Sequence, residues 1–111
     1  MEPISEERQR KVYEWLYPDT APVTRFQKYE IVVDLGKRNA SHLYLANGKP
    51  NYQFFFTEIV PRLKEAKVYI MYGNMGSDEW WMDAVNLPVD VITNPDPIAA
   101  TAEYIEALEG R

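Results

Sequence analysis

The chain predicts an α+β fold, and three features of the sequence lead there. Its two ends carry helical apolar periodicity, its middle carries period-two apolar runs, and Gly- and Asn-containing turns separate those runs. With 111 residues and a hydrophobic fraction of 46%, the chain suits one core, so residues 1–111 read as a single domain. The expected order is α-β-β-α-β-β-α, with antiparallel hairpins in one sheet and helices packed on its faces.

The first helix is expected from Ser5 to Tyr17. Ser5 is an N-cap, Glu6 and Glu7 suit the positive end of the helix dipole, and Val12, Trp15 and Leu16 share a face before Pro18 stops the helix. Asp19-Thr20-Ala21-Pro22 is turn chemistry leading into an extended segment. Residues 29–35 alternate as a strand, with Tyr29, Ile31, Val33 and Leu35 opposite Glu30 and Asp34. A turn over Gly36-Lys37-Arg38-Asn39 would return the chain into a second strand, His42 to Ala46.

Asn47-Gly48 is a hairpin-turn signal, which makes Tyr52 to Phe56 a candidate third strand. The helical spacing of Phe55, Ile59 and Leu63, with Asn51 as a cap, favours instead a helix over residues 51–66, kinked or starting late at Pro61. Residues 67–72 and 79–85 form the second expected hairpin around the Gly73-Asn74-Met75-Gly76-Ser77-Asp78 loop, and 89–92 extend it or add an edge strand. The last helix has the clearest bounds. Asp96 caps it, Pro97 opens it, Ile98, Ala102, Ile105 and Leu108 form its stripe, and Gly110 lies past its end.

Composition narrows the function classes. Seventeen acids against twelve bases give a net charge of -5, which repels a phosphate backbone and argues against direct nucleic-acid binding. The absence of cysteine fits a reducing compartment and removes thiol chemistry. Acids stand near the N-terminus where a signal peptide carries bases, and no apolar run reaches the length of a membrane span. The expectation is a cytoplasmic protein without membrane insertion.

Catalytic patterns are sparse. His42 is the only histidine and stands in no recognisable triad or metal-ligand spacing, so no cofactor or metal is expected. A carboxylate-only enzyme would need two of Asp34, Asp78, Glu79 and Asp83 to converge. The loop after residues 67–72 has the G-x-x-G pattern, Gly73 to Gly76, without the remainder of a phosphate-binding motif.

Binding is the richer signal. The neighbours Trp80 and Trp81 must point to opposite faces of a strand. Either a helix covers Trp81, or Trp81, Tyr69 and Met71 form an exposed patch that meets a partner or ligand. An aromatic fraction of 14% exceeds the needs of a small core and favours an interface, a second copy of the chain being the simplest occupant.

Pro50-Asn51-Tyr52 before a helix, an aromatic strand-loop-strand, and a closing helix opened by Asn94-Pro95-Asp96-Pro97 and continued by Ile98-Ala99-Ala100 together resemble the phage ABA-sandwich family. The resemblance spans Pro50 to Leu108 and implies a phage origin and layered α/β/α packing, with no catalytic residue. The leading expectation is a non-enzymatic binding protein, such as a phage-encoded inhibitor or accessory factor, whose partner is a host protein or a second copy of the chain. The alternative is a small-ligand or nucleotide-sequestering module with an aromatic and Gly-loop pocket. There Trp81 or Tyr69 would stack on a base while Gly73, Asn74, Gly76 and Asp78 offer loop contacts to phosphate.

Overall fold

The computed structural model describes residues 2–18, 23–27, 30–34, 39–40, 42–85, 87–88 and 90–110; for 23–27, 30–34 and 39–40 it is the backbone that is described. The α+β class holds, but the strands form two separate three-stranded antiparallel sheets instead of one.

Helix α1 runs Glu6–Leu16, with Ser5 accepting a hydrogen bond from the N–H of Arg8 as the cap. Val12 and Tyr13 are fully buried on its inner face and Trp15 and Leu16 pack at the margin. The first sheet holds β1 (Val23–Gln27), β2 (Glu30–Asp34) and β3 (Asn39–Ala40), in that order. The extended segment after Pro22 is thus a true strand, paired Thr24 to Val33 and Phe26 to Ile31. The turn expected at 36–39 lies, for residues 36–38, outside the described residues.

The strand expected over His42 to Ala46 does not form. Tyr44 makes one isolated bridge to Pro50, and the neighbouring groups are spent locally. The N–H of Leu45 bonds the carbonyl of Lys49, Gly48 bonds back to Leu45 with φ of 83°, and Asn51 N–H bonds Leu43. The Asn-Gly turn therefore exists, but it hands the chain to a helix.

That helix begins at Asn51, whose Oδ1 accepts from the N–H of Phe54 while its Nδ2 donates to the carbonyl of His42. It comprises α2 (Tyr52–Phe54), a π-helical segment over Phe55–Ile59, and α3 (Val60–Glu65). The expected kink at Pro61 takes the form of this wide turn. Proline has no N–H for the ladder and its ring crowds the carbonyl four residues back, so the preceding turn widens, with Val60 N–H reaching Phe55.

The second sheet has the order β4 (Val68–Tyr72), β5 (Trp80–Ala84), β6 (Ile92–Asn94), with Tyr72 opposite Trp80, Ile70 opposite Met82 and Val68 opposite Ala84. Helix α4 (Pro97–Glu109) closes the chain, capped by the Asp96 carboxylate and led by Pro97. Its buried side reaches from Pro97 through Ile105, wider than the expected stripe.

The core sits between the helices and one face of the second sheet. Phe55, Ile59, Leu63, Ile98, Ala102 and Met82 are all buried there. Full burial of a side chain of this class contributes about 1.5–3 kcal/mol, so this single layer carries much of the stability.

Candidate functional site

Alternation along β4 and β5 divides the second sheet into two faces. Val68, Trp80, Met82 and Ala84 point into the core. Tyr69, Met71, Trp81, Asp83 and Thr93 point the other way, with Met71 paired across to Trp81, Tyr69 to Asp83 and Trp81 to Thr93. No described helix covers this outer face: Tyr69 is 71% exposed and Met71 54% exposed. Trp81 is half-buried. No helix among the described residues covers Trp81, and of the three residues expected in the patch Tyr69 and Met71 are exposed while Trp81 is not.

The loop after β4 belongs to the same surface. Trp81 Nε1 donates to Ser77 Oγ at 3.2 Å, and Ser77 Oγ donates to the carbonyl of Asn74 at 2.9 Å, so the loop fixes the orientation of the indole. Gly73 and Gly76 take φ of 76° and 79°, conformations open to glycine. Met75, between them, is held at φ of 58° and is 91% exposed. The other non-glycine residue with positive φ among the described residues is Lys67, at φ of 62°. Lys67 is the left-handed residue that ends α3, its N–H bonding the carbonyl of Lys64.

In this loop the N–H groups of Gly73, Gly76 and Ser77 are spent on the protein's own carbonyls, those of Glu79, Gly73 and Asn74, and a strand follows in place of a helix. Asp78 is exposed beside the loop. Of the carboxylates considered for catalysis, Asp78 and Asp83 are exposed and Glu79 is half-buried, while the side chain of Asp34 lies outside the described residues. Among the described residues there is no group of three metal-ligating side chains.

Two further features were not legible in the sequence. Trp80 is surrounded by Phe55, Phe56, Tyr72 and Tyr52, with ring centroids at 5.1, 5.8, 5.0 and 6.3 Å, while its indole N–H is buried without a hydrogen-bond partner. A cleft of about 350 Å³ lies between the helices, lined by Trp15, Arg62, Glu65 and Tyr104 among others. Its guanidinium is already engaged, 5.6 Å from the Trp15 ring and 3.7 Å from Glu65. The residues around each feature come from distant stretches of chain, so no local spacing announces them.

Elsewhere the polar interior is structural. Tyr44 donates to Asp96 Oδ2 at 2.6 Å and accepts from the N–H of Ile4 at 3.2 Å, and Gln9 donates to the Ile4 carbonyl. Burial, and then the bond to Asp96, push the Tyr44 phenol well above its ordinary value. Ionisation is thereby suppressed in a group that ties the N-terminal segment to the start of α4.

No family model matches the chain, and no curated protein or solved structure matches it either. No helix among the described residues is long and apolar enough to cross a membrane.

Proposed function

We propose that the chain is a non-catalytic protein-binding module whose working surface is the outer face of β4 and β5. The observation that carries this reading is exposed Tyr69 and Met71, with half-buried Trp81 beside Met71, on a sheet face that no described helix covers. An indole and a phenol supply large contact area at little conformational cost, the usual make-up of an interface centre. Exposed Asp78 and Asp83 border it, and the chain carries a net charge of -5. The fitting partner therefore presents an apolar patch rimmed by Lys or Arg.

The test compares the immobilised protein with its folded Trp81→Ala variant in lysate of the source cells, with bound proteins identified by mass. A basic-rimmed protein retained by the parent and lost by the variant is the expected result. Equal retention by both would refute this choice of surface.

A further inference from the structure

We infer that β4 pairs edge to edge with β4 of a second copy, antiparallel about a twofold axis at Ile70, to make a continuous six-stranded sheet. The inference goes beyond the binding reading above, because edge pairing leaves the outer face of both copies open.

The hydrogen-bonding pattern defines which groups are offered. Gly73 N–H bonds the carbonyl of Glu79, and the register from there to the Val68–Ala84 pair is unbroken. Odd-numbered residues of β4 therefore bond to β5, while the N–H and C=O groups of Val68, Ile70 and Tyr72 point to the free edge. Nothing described pairs with that edge. A twofold axis at Ile70 engages all three residues of both copies: Ile70 meets its own equivalent, and Val68 meets Tyr72. Moving the axis by one residue loses part of this ladder.

Edge strands of proteins that remain single are normally protected by charge, proline, a bulge or shortness. Strand β4 is Val-Tyr-Ile-Met-Tyr, with five residues, no charge, no proline and no bulge. The opposite edge is protected: β6 has three residues and is followed at once by Pro95. Exposed apolar side chains gather at the unprotected edge, with Tyr69, Met71 and Tyr72 in the strand and Met75 just beyond it.

The choice of a second copy rests on charge. Around the start of β4, Arg62, Lys64 and Lys67 outnumber Glu65 and Asp83, whereas Asp78 and Glu79 flank its end. Antiparallel pairing brings the basic end of each copy beside the acidic end of the other. A parallel arrangement would set like charges together.

The register makes the test specific, since Tyr69 of one copy lies across from Met71 of the other on the outer face. Both side chains are exposed, so charges placed there leave the core intact. Sedimentation equilibrium of the full chain is expected to show a dimer. Tyr69→Lys with Met71→Lys sets like charges opposite one another and should weaken dimerisation by about tenfold or more. Tyr69→Lys with Met71→Glu sets opposite charges across the axis and should restore the dimer, while Trp81→Ala should leave it unchanged. Circular dichroism confirms that each variant is folded.

A parent that stays monomeric overturns the inference. So does a dimer indifferent to both charge variants, or one that the second variant fails to restore. A monomeric parent that still captures a partner through Trp81 would sink the inference alone; a dimeric parent without such capture would sink only the binding reading.

Discussion

The phenol of Tyr44 donates a 2.6 Å hydrogen bond to Oδ2 of Asp96, joining residues 52 positions apart, while Oδ1 of the same carboxylate accepts from the N–H of Ile98. One buried carboxylate thus caps α4 and anchors the loop that precedes the middle helix. Tyr44→Phe removes the donor and leaves Oδ2 without that partner, so it is expected to lower stability by about 1–3 kcal/mol in urea denaturation. Asp96→Ala loses the cap as well and should cost more, about 2–4 kcal/mol.

Alkaline pH should weaken the fold through the same residue. Burial raises the Tyr44 and Tyr13 phenols above the ordinary value of 10.0, so the unfolded state releases these protons first. Stability is therefore intact below about pH 10 and falls as pH rises above it, by up to about 1.4 kcal/mol per pH unit for each phenol. Tyr44→Phe should flatten that decline in a series of denaturation curves between pH 8 and 12. A decline of unchanged steepness would show that Tyr44 ionises as freely in the fold as out of it.

Trp80 offers a contrast between packing and polarity. Its ring is enclosed by Phe55, Phe56 and Tyr72, yet its N–H has no partner. Trp80→Ala should cost about 3–5 kcal/mol, as large-to-small core changes do. Trp80→Phe sheds the unpaired donor along with part of the ring and should cost under about 1.5 kcal/mol. Equal losses from the two would mean the indole N–H is in fact satisfied.

The loop beyond β4 holds two residues with opposite expectations. Gly73→Ala forces a side chain into positive φ and should cost about 1–2 kcal/mol, whereas Met75→Gly relieves strain at an exposed position and should leave stability unchanged or slightly higher. Thermal unfolding of the two variants side by side checks both signs.

What could be read from the chain alone follows the range of the forces involved. Helix α4 was legible because Asp96 and Pro97 act on their own next residues, and the β4–β5 hairpin because alternation is a local property. The strand expected at His42 to Ala46 failed because Asn51 captures the carbonyl of His42 and its N–H bonds that of Leu43, committing the segment to a helix cap. Strand β1, with Arg25 and Gln27 alternating against Thr24 and Phe26, lacks an apolar face to announce it. At the candidate surface, alternation correctly set Trp81 opposite Trp80. Whether anything covered Trp81 depends on where the helices pack, which no local pattern encodes.

The central claim is that the outer face of β4 and β5 stands open, and methionine oxidation tests it most directly. Met71 lies on that face at 54% exposed and Met75 beside it at 91% exposed, whereas Met82 points into the core at 0% exposed. Under dilute peroxide, peptide mass spectrometry should find Met75 and Met71 converted to sulfoxide well before Met82. Met71 protected as fully as Met82 would contradict the account, because something would then cover the surface on which the proposed function rests.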